Sequence, residues 1–176
     1  MRKRGWIAGA ASVAVMSMLL APAGAEAKAK KRCVQNTHAF ARVDIPKVGK
    51  VFSATIDVPL WCRRGRRVVG PVQTEFKHKQ YKGAFSGFYI EWKGWSERVR
   101  YPYSYKGKGL GSGLRVQGKA NWNQCLDPVH LSCGIENYIN MKVLLHYDGT
   151  CRASAFFHNG NSGKDTNALV DTNCSS

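Results

Sequence analysis

The chain has 176 residues, and its 27 Lys and Arg outnumber its 11 Asp and Glu, which gives a formal net charge of +16 at pH 7. This length fits one domain with a sizeable core, and no linker divides the chain into two. The charge predicts an acidic partner and says nothing about the fold.

The first 27 residues have the features of an export signal. Basic residues at positions 2–4 precede an apolar stretch over residues 6–20, and small residues follow at 21, 23, 25 and 27. We predict a signal peptide over residues 1–27, cleaved after Ala25 or Ala27, and a secreted protein with no transmembrane anchor. A retained anchor is the competing interpretation, but the apolar stretch is shorter than the ~20 residues of a spanning helix.

Six cysteines lie beyond this segment, at positions 33, 62, 125, 133, 151 and 174. An even number in an exported chain predicts three disulfides. Sequence does not select the pairing, and our preferred set is Cys33–Cys62, Cys125–Cys133 and Cys151–Cys174. The alternative, a zinc site, lacks the usual ligand spacing, so we predict no metal and no cofactor.

The segment that follows the signal is basic. Residues 28–32 read K-A-K-K-R and contain no apolar side chain larger than alanine. We predict a basic N-terminal arm over residues 28–38 that orders on an acidic partner, followed by one domain over residues 39–176. A frayed terminus is the simpler interpretation.

From Phe40 onward the pattern alternates with the period of a β-strand. Residues 51–60 are the clearest case, because Phe52, Ala54, Ile56, Val58 and Leu60 alternate with the remaining positions and predict one buried face. Further strands are predicted over residues 67–76, 84–92, 98–103, 114–122 and 168–172. A short helix fits only residues 127–137. These elements predict an all-β, single-domain antiparallel sandwich or barrel that is stapled by disulfides.

Residues 138–157 predict a β-hairpin. Two apolar runs meet at Asp148-Gly149, a dipeptide that suits a tight two-residue turn of type I′. In that hairpin His146 faces Cys151. The other histidine, His158, is then about 23 Å away at ~3.3 Å per residue, so the two cannot act on one bond.

Basic and aromatic residues alternate through the first half of the domain. Such a composition suits partners that carry carboxylates or phosphates. The alternative is that the aromatic residues pack inward while the charges are only solvated. Export argues against nucleic acid as the physiological partner. The residues that we predict to contact a partner are Lys28, Lys30, Lys31, Arg32, Arg63, Arg64, Arg66, Arg67, Trp92, Trp95, Tyr101 and Tyr103.

The chain has no nucleophile motif of a known hydrolase class. A glycosidase needs only two carboxylates, and Asp57, Glu75, Glu91 and Glu97 lie on predicted strands. Three histidines, His38, His78 and His130, remain as acid–base candidates. Salt-bridge partners are the simpler role for acidic residues in so basic a chain, and we predict that the protein is not an enzyme.

In size, export signal and lack of a catalytic motif, the chain resembles the small cystine-stapled proteins exported by high-GC Gram-positive bacteria. Among these it is similar to the adaptor subunit of umbrella toxin particles, a small β-protein that joins a lectin-like subunit to a long toxin-bearing one. The resemblance implies that residues 28–32 and those around Cys33 form an arm that docks in a partner's cleft. The alternatives are a cationic binder of anionic envelope polymers, or antimicrobial protein, and a small secreted hydrolase.

Overall fold

The protein is a two-layer β structure. The computed structural model describes residues 29–45, 49–81, 89–125, 133–167 and 169–173, and the predicted signal peptide lies outside these ranges. The strands are β1 (Arg32–Ile45), β2 (Gly49–Arg64), β3 (Arg67–Val69), β4 (Glu75–Gln80), β5 (Tyr89–Ser104), β6 (Leu110–Cys125), β7 (Cys133–His146), β8 (Cys151–Asn159), β9 (Lys164–Asn167) and β10 (Leu169–Asn173).

The strands form two antiparallel sheets. In the first sheet the order is β10-β1-β2-β3, and β4 also pairs with β2; in the second it is β5-β6-β7-β8-β9. Every pairing is antiparallel, as in β1 with β2 and β6 with β7. The predicted class, an antiparallel all-β domain with disulfides, is therefore confirmed. No helix of membrane-spanning length and apolarity occurs among the described residues.

The core lies between the two sheets. Phe52, Ala54, Ile56 and Val58 of β2 are buried as predicted, but Val51 and Ser53 on the other face are buried too. Phe52 stacks on Trp122 of β6 with ring centroids 4.2 Å apart. From β7, Ile139 and Met141 are also fully buried. Each such side chain stabilises the fold by about 1.5–3 kcal/mol relative to an exposed one.

The buried face of β2 ends at Val58, two residues earlier than predicted. Leu60 is only half-buried, and Trp61 is fully buried instead, donating from Nε1 to Thr37 Oγ1 over 2.8 Å. Across the ladder, Asn36 has a φ of 58°, a left-handed conformation that interrupts the alternation of sides along a strand. Both strands therefore change their buried face at the level of Asn36 and Pro59.

The hairpin of β7 and β8 is present, but its predicted turn is wrong. Leu145 pairs with Cys151, and His146 N–H donates to Thr150 O over 3.0 Å, so three residues form the turn rather than two. Gly149 has a φ of 92°, which fits a type I turn closed by a glycine bulge. His146 thus faces Thr150 and not Cys151.

Two of the three predicted disulfides are seen directly. Cys33 is bonded to Cys62 across β1 and β2, and Cys125 is bonded to Cys133 at the opposite end of β6 and β7. Cys151 is also disulfide-bonded. Its predicted partner, Cys174, lies outside the described residues.

Several predicted boundaries differ from the observed ones. The predicted strand 67–76 is divided into β3 and β4 around the cis peptide Gly70–Pro71, because proline cannot donate to a ladder. The predicted strands 84–92 and 98–103 contribute to the single strand β5, and residues 82–88 lie outside the described ranges. The sequence predicts a short helix over residues 127–137, but residues 133–137 form the start of β7 instead. The predicted strand 168–172 corresponds to β10.

Part of the predicted arm, residues 28–38, belongs to the first sheet. Residues 32–38 belong to β1, and Arg32 is already paired with Arg63 of β2. Before β1, Lys30 and Lys31 are exposed, and Lys28 lies outside the described residues. Of the predicted arm, the described residues that precede the sheet are Ala29, Lys30 and Lys31.

Candidate functional site

One end of the sandwich gathers three turns and the start of β1. Arg63 Nη1 donates to Tyr147 O over 3.1 Å, which joins the end of β2 to the β7–β8 turn. Lys106 Nζ donates to Asp148 Oδ2 over 3.3 Å, which joins the β5–β6 turn to the same place. We call this surface the basic end; it comprises residues 30–32, 63–67, 105–108 and 147–150.

Strand register places like charges opposite each other in the basic end. Arg32 faces Arg63 across β1 and β2, and Arg64 faces Arg67 across β2 and β3. The disulfide Cys33–Cys62 is the next pair along the ladder. Like charges directly opposite each other destabilise a sheet, so the fold holds these arginines together at some cost.

Most of this charge has no partner in the part of the chain that the structure describes. The basic end contains nine Lys and Arg and one carboxylate, Asp148. That carboxylate already accepts hydrogen bonds from Lys106 and from the Thr150 hydroxyl. Among the described residues, no hydrogen bond or ion pair is made by the side chains of Lys30, Lys31, Arg32, Arg64, Arg66 and Lys108.

A buried histidine supports the β7–β8 turn beneath this surface. His146 is 2 % exposed, and its ring stacks on Tyr105 with centroids 3.7 Å apart. Thr150 Oγ1 donates to Asp148 Oδ1 over 2.7 Å and lies 2.8 Å from His146 Nδ1. Because the hydroxyl has one proton, Nδ1–H must donate to it, which fixes the tautomer of His146. Burial lowers the pKa of His146, which keeps the ring neutral at pH 7.

The predicted tyrosines lie beside the basic end. Tyr101 is 49 % exposed and Tyr103 is half-buried, both in the last four residues of β5. The ring of Tyr103 covers Gly113, where a Cβ would come within 2.4 Å of it. It also meets the ring of His146 edge-on, at 6.2 Å between centroids. Tyr101 is therefore the more accessible of the two for a partner.

The predicted tryptophans lie elsewhere. Trp92 stacks on His78 with centroids 3.7 Å apart, and Trp95 meets Phe76 edge-on at 5.2 Å. Both are half-buried and pack against the core. Trp92 pairs with Trp122 and Tyr101 with Arg115, seven positions apart on β6, which is roughly 23 Å in an extended strand. The structure therefore does not bring the tryptophans together with the basic end.

A second polar cluster lies on the outer face of the first sheet. His38 Nδ1 is 2.6 Å from Asp57 Oδ1, and Lys77 Nζ is 2.9 Å from Asp57 Oδ2 and 2.8 Å from Glu75 Oε2. They line a cleft of about 250 Å³. Burial alone raises the pKa of Asp57, but hydrogen bonds from Lys77 and His38 outweigh it and hold that pKa below its usual value. Lys77, held between two carboxylates, has a raised pKa.

Sequence reasoning named Asp57, Glu75 and His38 separately but did not place them together. They come from three strands, and only the register of β1, β2 and β4 brings them into one cleft. No local spacing could have revealed this. Both carboxylates in the cluster contact Lys77, so the cluster lacks the unpaired charge of the basic end.

A grouping of possible metal ligands among the described residues consists of Glu91, Cys125 and Cys133. The two sulfurs are joined as a disulfide and are not free to bind a metal. This grouping therefore offers only one carboxylate.

Comparisons of the chain with protein-family models, with characterised proteins and with solved structures give no match. The disulfides are compatible with an extracellular protein.

Proposed function

We propose that the protein is a non-enzymatic binding subunit of an extracellular protein assembly, and that its basic end docks an acidic segment of a secreted partner. The observation that carries this proposal is the pair of like-charge contacts, Arg32 with Arg63 and Arg64 with Arg67. Each opposes folding by a few tenths of a kcal/mol up to about 1 kcal/mol. A carboxylate-rich partner converts that repulsion into attraction.

The chemistry of these side chains suits carboxylates. An arginine guanidinium presents paired N–H donors that match both oxygens of a carboxylate. Because Arg32, Arg64 and Arg66 have no partner among the described residues, their donors are available without breaking an existing contact. Tyr101 is 49 % exposed and lies four residues before Tyr105 of the basic end, so it adds an aromatic surface of the kind that contributes strongly to interfaces.

The N-terminal arm leaves the domain at the same end. Residues 28–31 precede β1, and the disulfide Cys33–Cys62 fixes the position from which they extend. An arm that is anchored next to the arginines can close over a segment bound to them. This arrangement is what the resemblance to toxin-particle adaptors implies for residues 28–32.

The test is recovery of the tagged mature protein from its native culture supernatant in moderate salt, with co-purifying proteins identified and quantified. We expect stoichiometric recovery of a larger secreted protein. Removal of residues 28–31 should weaken recovery and leave the fold intact, because β1 begins at Arg32. Unchanged recovery by the shortened protein would remove the arm from the proposal.

A secreted hydrolase is the second candidate, and the contact between His38 and Asp57 is the observation that favours it. A carboxylate on Nδ1 orients a histidine and leaves Nε2 for proton transfer. Release of product from RNA, peptidoglycan or chitin by the wild type, lost in His38→Gln, would support this candidate. No release from any of the three would reject it.

A further inference from the structure

A groove runs between the edge strands β4 and β5, on the side where the two sheets are open. It has a volume of about 340 Å³ and is lined by Thr74, Phe76, Arg98, Val99 and Arg100. Its volume is within the range of small-ligand sites. This groove lies along the side of the sandwich and is not part of the basic end.

The lining of the groove is cationic. Among the described residues, its lining contains two arginines and no carboxylate. Arg100 Nη1 donates to Val72 O over 2.8 Å, which holds that side chain beside the segment before β4. The guanidinium of Arg98 is exposed and makes no hydrogen bond or ion pair with any described residue. An anion in the groove would therefore meet one oriented arginine and one with all its donors unused.

The backbone of β5 argues against an added peptide strand as the occupant. Pairing of β5 with β6 is interrupted after Trp92 and again between Ser96 and Val99. Gly94 and Glu97 have φ angles of 103° and 52° at these interruptions. A peptide that extends a sheet needs a regular row of backbone donors and acceptors, and bulges disrupt that row. Recognition in this groove must come from side chains.

We propose that the groove binds the carboxylate or phosphate groups of an anionic polysaccharide. Arg98 and Arg100 are two residues apart in β5 and both line the groove, which allows the two arginines to contact neighbouring anionic groups of a polymer. Phe76, braced edge-on by Trp95 at 5.2 Å, gives the groove an apolar wall for a sugar ring, and Thr74 adds a hydroxyl. This site goes beyond the proposed docking of a protein at the basic end.

The test measures binding of the mature protein to polygalacturonate, to a phosphomannan and to neutral dextran at an ionic strength of about 0.15 M. We expect binding to one or both anionic polymers and none to dextran. Comparison of the two anionic polymers shows whether carboxylate or phosphate is preferred. Arg98→Gln should weaken binding at least tenfold, because it removes the unused guanidinium. Arg152→Gln is the matched control: Arg152 is an exposed arginine of β8 that has no partner among the described residues. It should change binding less than twofold.

The same variants separate this site from the basic end. Arg98→Gln should leave partner recovery unchanged, whereas Arg64→Glu should reduce partner recovery and retain binding of the polymer. Equal losses for Arg98→Gln and Arg152→Gln would show only attraction to net charge and overturn the proposal. Absence of binding to both anionic polymers, or tighter binding of polyglutamate that is lost in Arg98→Gln, would also overturn it.

Discussion

Replacing Arg64 by glutamate is expected to move fold stability and partner binding in opposite directions. Arg64 and Arg67 face each other in the register of β2 and β3, and both are exposed. At about 5 Å in water, two unit charges interact by about 0.8 kcal/mol, and physiological salt reduces this to roughly half. Turning repulsion into attraction should therefore stabilise the fold by roughly 0.8 kcal/mol.

The assay is thermal unfolding of the oxidised protein together with partner recovery. For a chain of this length, the stabilisation corresponds to an increase in Tm of about 2–3 °C, and it should shrink at high salt. Partner recovery should fall, because an acidic segment then meets a carboxylate. The matched control is Lys50→Glu at the other end of β2, where Lys50 faces Asp44. It creates a like-charge pair, so it should lower the Tm and leave recovery unchanged.

Two results would refute the reasoning. A lower Tm for Arg64→Glu would mean that Arg64 and Arg67 do not repel each other in the folded protein. A higher Tm with unchanged recovery of the partner would mean that the arginines are close but do not contact it. The second result would leave the fold argument intact and reject the basic end as the docking surface.

Two further predictions concern the fold itself. Gly160→Ala should destabilise the fold by about 1–3 kcal/mol, because a Cβ there would lie 2.1 Å from the backbone oxygen of Glu136. Gly134→Ala should destabilise it far less, because open space surrounds that position. Urea unfolding of both variants checks this, and equal losses of stability would contradict it. His146 has a folded pKa below its usual 6.5 because it is buried, so the unfolded state binds the proton first and stability should fall as pH drops below about 6.5. Unfolding at pH 7.5 and 5.5 should show a smaller loss in His146→Gln, and an equal loss would exclude His146 as its source.

Much of the fold could be predicted because apolar residues of a strand that face the core recur at every second position of the sequence. Phe52, Ala54, Ile56 and Val58 of β2 are buried as the alternation requires. The hairpin of β7 and β8 was also evident from its apolar runs. Its turn was mispredicted because Asp-Gly suits both a two-residue turn and the last two positions of a three-residue turn. Only the register, Leu145 with Cys151, separates these possibilities.

The sites were less predictable because they depend on contacts between distant strands. The basic residues were visible as clusters, but nothing in the sequence placed Arg32 opposite Arg63. The same holds for the groove, where Phe76 and Arg98 come from strands of two different sheets. The change of face at Asn36 was also hidden, since a left-handed asparagine has no unique sequence signature.

The disulfide Cys33–Cys62 explains how the basic end can concentrate charge without fraying. It is directly adjacent to the Arg32–Arg63 pair and closes a loop with a sequence separation of 29. Loop closure of this length stabilises a fold by about 3–4 kcal/mol in the chain-entropy treatment, several times the repulsion between two exposed arginines. Noncovalent pairing at a strand end is weaker and would open first under such repulsion. The staple thus allows the sheet to keep its arginines in register and gives the arm a fixed point of departure.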